Sequence, residues 1–349
     1  MVNIFSEYLL KHHLIRNRVV FPPVVCHGYT HEDGIVTDAN VDHYARRSKD
    51  GPGIVITEAT CVRPDGKAAP RQLGIWSDEH VEGLRRISAI VKANGAVSLI
   101  QLHHGGLATH PEANDSPVGP SADPANPRSS AMTPEDIRDI RRCFIEAALR
   151  ARQAGFDGVE LHGAHGYLLN QFANAELNRR TDEYGGDFSG RMKLATEIIA
   201  GIREKAGEAF ILSYRMGAVT PLLEDGIRVA KYLESIGIDL LHVSHGGTLK
   251  NLPRPPKDFQ YNWIVFSGTE VKKQVRIPVI VVNEIKTRER ADWLLENSLA
   301  DFVSLARPIL ADPQWVKHVR NGEEINLCLG CKPKCRWYES SSLCPAGKK

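Results

Sequence analysis

The chain has 349 residues, 42% of them hydrophobic and 25% charged, proportions usual for a soluble globular protein. A formal net charge of +2 makes no global field, so nucleic-acid and membrane-surface roles have no electrostatic support. Residues 1–18 hold no signal-type apolar core and no stretch reaches membrane-spanning length, so a cytoplasmic protein is expected.

Eight short apolar, β-branched runs recur along the chain, at residues 19–22, 53–57, 96–102, 158–161, 210–214, 240–243, 278–282 and 302–305. Each is nearly continuous in apolar character and bounded by Gly, Pro or polar residues, as strands buried on both faces are. Helical patterns lie between them. Ser77, Asp78 and Glu79 precede a face of Val81, Leu84, Ile87 and Val91. Thr133 followed by Pro134 reads as an N-cap with proline at the first helical position. Ile137, Ile140, Phe144, Ala147 and Ala151 follow as one stripe. The stretch from Ser267 to Glu270 fits a capping box, and Asp312-Pro313 opens the last helix. Strand then helix, eight times, predicts an α/β protein with a (β/α)8 TIM barrel over residues 1–320. A doubly wound sheet would carry Gly-x-Gly-x-x-Gly after its first strand, which is missing here. Two stretches, 104–132 and 179–191, are too long for plain connectors, and such loops in compact folds usually carry function.

The residues that follow the runs are unusual. Cys26 follows the first and Glu58-Ala59-Thr60 the second. Gln101 and His103 close the third, His162 and His165 the fourth, and Arg215 the fifth. His245-Gly246-Gly247 follows the sixth, Asn283-Glu284 the seventh and Ala306-Arg307 the eighth. In a barrel all of these share the end where active sites lie. Loop polarity alone would supply Ser, Asn and Asp, not Cys, Gln, His and Arg. At the fourth run two imidazoles and the Tyr167 phenol share one small volume. That set suits polarising a carbonyl oxygen and delivering a proton beside it. His-x-x-His also suits a metal, so a barrel metallohydrolase stands as an alternative. The tail, residues 321–349, carries Cys328-x2-Cys331-x3-Cys335-x8-Cys344. Four thiolates in so short a span fit a [4Fe-4S] cluster or a structural zinc.

Five motifs in particular carry a resemblance. They are Ile56-Thr-Glu-Ala59, Ile100-Gln-Leu-His103, Val159-Glu-Leu-His-Gly-Ala-His-Gly-Tyr167, Asn178-Arg-Arg-Thr-Asp-Glu-Tyr184 and Ala306-Arg-Pro-Ile-Leu-Ala-Asp312. Together they make the chain resemble the old yellow enzyme family of FMN-dependent oxidoreductases over nearly its whole length. With the cysteine tail it is similar to the iron–sulfur branch that includes 2,4-dienoyl-CoA reductase and 2-enoate reductase. The resemblance implies that Gln101 bonds the pyrimidine edge of the flavin and that Arg215 stabilises its reduced form. On the residues alone, Arg215 equally reads as a barrel ion pair with Glu160. The resemblance further implies that Pro23, Val24 and Ala59 contact the ring. The backbone around Asn283, Ala306 and Arg307 would hold the phosphate, and Cys26 would tune the flavin. His162 and His165 would donate to the carbonyl of an α,β-unsaturated small molecule while Tyr167 gives a proton to its alpha carbon. NAD(P)H or a separate electron-donor protein would supply electrons. An oxidative, amine-type dehydrogenase or demethylase, or an electron-transfer module, is the alternative. A homo-oligomer is expected.

Overall fold

Eight parallel strands close on themselves in chain order, with the last pairing back to the first. The computed structural model describes residues 1–247 and 250–346. Its barrel strands are β1 (Val19–Phe21), β2 (Ile54–Cys61), β3 (Val97–His103), β4 (Gly158–Gly163), β5 (Ile211–Gly217), β6 (Leu240–Ser244), β7 (Val279–Val282) and β8 (Phe302–Ser304). The outer helices are α1 (Asp38–Ser48), α2 (Glu79–Ala93), α3 (Pro134–Gln153), α4 (Phe188–Ala206), α5 (Leu223–Ser235), α6 (Trp263–Lys272), α7 (Arg288–Glu296) and α8 (Trp315–Asn321). All eight expected strands are present. β2 to β5 run further than their apolar stretches predict, because polar side chains that point into the barrel still pair through their backbone. Of the tail region, residues 347–349 lie outside the described residues. No described helix is long and apolar enough to cross a membrane.

Local signals account for most helix starts. Thr133 Oγ1 accepts from Asp136 N at 3.1 Å while Asp136 returns a bond to Thr133 N at 2.8 Å, a reciprocal cap ahead of Pro134. The box expected at Ser267 is not a helix start. α6 begins earlier, where Asn262 accepts from Ile264 N and Val265 N, and Ser267 Oγ donates instead to the Trp263 carbonyl. A Ser-x-x-Glu spacing inside a helix mimics a cap when the true cap, here an asparagine, comes first. The last helix likewise begins past Asp312, at Trp315.

Alternation along the strands makes two cores. Val20, Ile54, Ile56, Leu99, Ile211, Leu240, Ile280 and Phe302 fill the barrel interior. Leu10 and Ile15, from an N-terminal hairpin (Tyr8–Leu10 with His13–Ile15), join that cluster and close its lower end. Val55, Ile100, Val159, Leu212, Leu241 and Val281 face outward to the helices. The apolar filling stops halfway up. Above it the inward positions are Gln101, Glu160, Ser213, Arg215 and His242, all buried. The two long insertions brace each other over this upper end. Arg180 donates to the carbonyls of Pro120 at 3.0 Å and Met132 at 2.6 Å, and Arg179 N donates to Ser121 Oγ at 3.0 Å.

Phe302 is fully buried inside the barrel, so Phe302→Ala should cost roughly 3–5 kcal/mol in equilibrium denaturation. A cost under about 1 kcal/mol would mean the interior layer is not close-packed.

Candidate active site

β4 delivers its last imidazole through a constrained turn. A side chain on Gly163 would strike the Tyr214 ring at 2.2 Å, so only glycine fits there. His165 and Gly166 then take left-handed conformations with φ of 60° and 77°, an arrangement costly for histidine and persistent only where the surroundings enforce it. Asn170 Oδ1 supplies that enforcement by accepting from Gly166 N and Gly247 N, both at 3.0 Å. His162, His165 and Tyr167 therefore meet. Ring centroids are 5.0 Å apart for the two histidines and 4.9 Å for His162 and Tyr167. His103 joins them at 4.4 Å from Tyr167, edge to face.

These imidazoles are neutral. Burial, and then the charges of neighbouring histidines and Arg215, hold His162 well below the usual histidine range. Burial, then Arg215, does the same to His165. Burial pushes His103 down to about 3. His162 Nδ1 accepts from Ala164 N at 3.4 Å, which leaves its one proton on Nε2 as a free donor. His165 Nε2 meets Ser244 Oγ at 2.8 Å. Burial also raises Tyr167, so the phenol keeps its proton at neutral pH.

Beneath the rings lies a polar layer set by register. Gln101, Glu160 and Ser213 are side by side on β3, β4 and β5. Glu160 accepts from Gln101 Nε2 at 2.8 Å and Ser213 Oγ at 3.3 Å, and its Oε2 lies 3.0 Å from His242 Nδ1. The ion pair between Arg215 and Glu160 that the residues alone equally suggested does not form. Among the described residues Arg215 has no salt-bridge partner and its Nε has no hydrogen bond, although the residue is 9% exposed. Burial lowers its pKa, and the Glu160 charge opposes that.

Cys26 is fully buried, with its N–H donating to Glu58 Oε2 at 2.7 Å. Burial, then the Glu58 charge, holds the thiol well above its ordinary value. Glu58 stands at an irregularity of β2 between Thr57 and Thr60. Tyr44 OH donates to its Oε1 at 3.3 Å. Desolvation lifts this carboxyl to about 7. Pro23 and Val24 are half-buried beside Cys26, and Ala59 is buried, its carbonyl accepting from Gln72 at 2.7 Å. After β7, Asn283 and Glu284 both have positive φ, 105° and 53°. Arg307 pairs with Glu284, which also meets Lys286 at 2.6 Å. Ala306 opens a short helix, Ala306–Ala311.

The expected metal set is not assembled. Cys328, Cys331, Cys335 and Cys344 are free and partly exposed. Among the described residues no three or more His, Cys, Asp or Glu side chains are gathered as a metal ion requires. Cys335 and Cys344 pack against the hydrophobic core instead. The same finding leaves the metallohydrolase alternative without a ligand set around His162 and His165.

Residues 3–326 match the NADH:flavin oxidoreductase / NADH oxidase family. The chain belongs to that family, which includes the old yellow enzymes. An NADH oxidase of Thermoanaerobacter brockii is 39% identical over 350 aligned positions, covering 95% of this chain and 53% of the relative. An NADPH dehydrogenase of a Geobacillus species is 37% identical over 320 positions, covering 89% and 92%. Among solved structures, 2-naphthoyl-CoA reductase superposes with a TM-score of 0.87 at 26% identity, covering 97% of this chain and 55% of that one. An old yellow enzyme homologue from Zymomonas mobilis gives 0.81 at 26%, covering 94% and 95%. The chain thus spans about half the length of some proteins it matches and nearly all of others.

Members of this family use FMN and NAD(P)H, and the residues present suit FMN. A buried guanidinium without a salt bridge, a buried amide at an inward barrel position, and consecutive positive-φ residues after β7 suit an anionic, phosphate-bearing ring system. Sequence reasoning passed over four contributors: Ser244, His242, Tyr44 and the buried role of Glu58. Only Glu58 carried a signal, as a lone carboxylate inside an apolar strand.

Glu58 offers a test of this geometry. Its folded pKa of about 7 exceeds the ordinary 4.5, so the folded state holds a proton that the unfolded state has released. Its contribution to stability is full below about pH 4.5 and is lost as pH rises through about 7. Glu58→Gln should flatten the decline in stability between about pH 4.5 and about pH 7.5, by up to roughly 3 kcal/mol. Parallel pH profiles for the two proteins would contradict the assignment.

Proposed function

We propose that this chain is an FMN-dependent NAD(P)H oxidoreductase that reduces the C=C bond of an α,β-unsaturated carbonyl compound. One observation carries the reading: two neutral imidazoles and a protonated phenol share one small volume near a buried arginine that has no salt bridge among the described residues. FMN, when bound, supplies hydride transfer between the nicotinamide and the substrate. Gln101 and Arg215 would hold its pyrimidine side, Pro23, Val24, Cys26 and Ala59 its ring, and the backbone around Asn283, Ala306 and Arg307 its phosphate. Because Arg307 pairs with Glu284, a bound phosphate would compete with that carboxylate for the guanidinium.

The chain's own groups then act on the substrate. His162 Nε2–H donates to the carbonyl oxygen, and the His165 ring, steadied by Ser244, supports the same oxygen. Negative charge grows there as the alkene accepts hydride, and fixed donors stabilise it without reorganising. Tyr167 holds the proton that the alpha carbon takes. The names of similar solved structures, an old yellow enzyme homologue and a naphthoyl-CoA reductase, accord with this direction. Similarity to a histamine dehydrogenase, 27% identical with a TM-score of 0.81, keeps the oxidative alternative in view. The groups meeting at the mouth, His103, His162, His165, Tyr167 and Arg215, are neutral or cationic, which disfavours an ammonium substrate.

The cysteine spacing supports a separate reading, a [4Fe-4S] cluster or zinc on Cys328, Cys331, Cys335 and Cys344. The tail would have to close around the metal, as ligand sets in small metal segments do. Iron and acid-labile sulfide on anaerobically purified protein test it, with about four of each per chain expected for the cluster. An electron-donor protein would be the partner of such a cluster.

Photoreduced enzyme should be reoxidised by cyclohex-2-enone under anaerobic conditions. His162→Ala should slow that step by roughly 10²–10³, and Tyr167→Phe should slow it while sparing flavin reduction. Reoxidation by no alkene in a broad series, together with flavin reduction by an amine, would overturn the reading. Both histidines lie below the usual range, so neither protonates as pH falls from about 8 to about 6. The rate should show no histidine inflection in that window. An inflection near 6.5 that His162→Ala removes would contradict the neutral pair.

A further inference from the structure

Residues 22–28 lie in no strand or helix, so their backbone groups need partners from elsewhere. At Val25, Cys26 and His27, three such partners come from far along the chain. The Trp337 indole N–H donates to the Val25 carbonyl at 2.8 Å. Cys26 N donates to Glu58 Oε2 at 2.7 Å. Ser341 N donates to the His27 carbonyl at 2.9 Å. Three consecutive residues are thus held from two sides, by the tail and by β2. The approach of the tail is close: Gly28 has a φ of 83°, and a side chain there would meet Ser340 Oγ at 3.3 Å.

Helix α1 joins the two sides. Its Tyr44 hydroxyl donates to Glu58 Oε1 at 3.3 Å and accepts from Glu58 N at 2.8 Å. The ring of His43, the residue before, lies 5.5 Å from the Trp337 ring. One turn further on, the Arg47 guanidinium sits 5.6 Å from the indole centroid. Trp337 is 3% exposed, so its indole is packed into this assembly. Between the two sides Cys26 is fully buried, its Sγ 3.8 Å from the Val24 carbonyl. A cysteine has one side-chain torsion that moves a heavy atom, so the aim of a buried thiol follows its backbone. Whatever fixes residues 25–27 therefore aims Cys26.

We infer that Trp337 and Glu58 are positioning residues for Cys26, the two jaws of a clamp through which the C-terminal tail sets the redox poise of the flavin. The inference rests on the reading in which Cys26 lies against the FMN ring, and it extends that reading to two residues that act through Cys26. Releasing either jaw frees a segment that has no regular structure of its own. The thiol then loses its fixed aim, and the flavin loses a fixed neighbour.

The test is a mutant cycle on the FMN-loaded protein, read as flavin midpoint potential and as hydrogen exchange of the Cys26 amide. Trp337→Phe removes the indole donor and keeps a ring. Ser341→Pro removes the other tail donor where proline fits, because Ser341 opens a helical turn and Ser340 before it is extended, at φ −159° and ψ 136°. Each should speed exchange at Cys26 roughly tenfold, one hydrogen bond's worth, although neither touches the bond that amide makes. The tail lies outside the barrel, so both variants should leave the barrel folded. Glu58→Ala should speed the same exchange, and Glu58→Gln, which keeps an acceptor, should restore it. Trp337→Phe should shift the potential in the direction in which Cys26→Ala shifts it. The expected size is up to a tenfold change in the ratio of oxidised to reduced FMN, or about 30 mV for a two-electron couple. In a Cys26→Ala background the same substitution should add nothing. Unchanged exchange in both tail variants would overturn the clamp. So would an unchanged potential in Trp337→Phe or in Cys26→Ala, or an equal shift with and without Cys26. These results separate from the reductase reading. Alkene reoxidation with an additive cycle refutes the clamp alone. A Cys26-dependent cycle without alkene reoxidation refutes the reductase reading alone.

Discussion

A guanidinium enclosed by protein and given no salt bridge is an expensive thing to keep. Arg215 is such a group. The carboxylate near it, Glu160, spends its oxygens on Gln101, Ser213 and His242. That allocation leaves Arg215 without a salt bridge among the described residues and with Nε unpaired, although the Glu160 charge still favours its charged form. Buried charge without a partner is destabilising by several kcal/mol, so its persistence needs a reason outside the unliganded fold. In the proposed reading, a negatively charged ring held by Arg215 would supply one. The same positive field, added to burial, keeps His162 and His165 unprotonated and so keeps each as a single-proton imidazole. In the proposed reading the same charge would favour the reduced cofactor, while burial, aided by Arg215, keeps the two imidazoles unprotonated.

The barrel makes this possible by dividing its interior. Lower inward positions are Val, Ile, Leu and Phe, and carry the stability of the fold. Upper inward positions are polar and carry its chemistry. Glycines then bring the strand ends close enough to act together. A Cβ at Gly217 would meet Gly246 at 2.5 Å, and one at Gly247 would meet Gly166 at 2.5 Å. Through Asn170 this contact sets the His165 turn, so the loop after β6 helps aim a histidine after β4.

Much of this was legible beforehand, for identifiable reasons. Strands buried on both faces read as apolar runs, and all eight stood out. Their upper ends did not, because an inward Gln101 or Arg215 looks like the start of a loop. His162, His165 and Tyr167 were legible as a group because neighbours in sequence meet in space. His103 was legible as closing the third run, but a histidine pair does not by itself say which member faces inward. His103 does, two residues beyond Gln101, while His104 Nδ1 turns to accept from Gly106 N at 3.0 Å. The tail was the furthest from legible. Its cysteines advertise a metal, but the contact that docks it joins Trp337 to Val25, 312 positions apart, and no local pattern encodes such a pairing.

The role of Arg215 decides whether the polar layer of the barrel serves a flavin. The direct measurement is the midpoint potential of bound FMN, by spectroelectrochemistry, in wild type and in Arg215→Met. If the guanidinium stabilises the reduced, anionic ring, the variant's potential should fall by roughly 30–60 mV, the two-electron equivalent of one charged hydrogen bond. A potential that stays the same or rises would show that this cation serves something else.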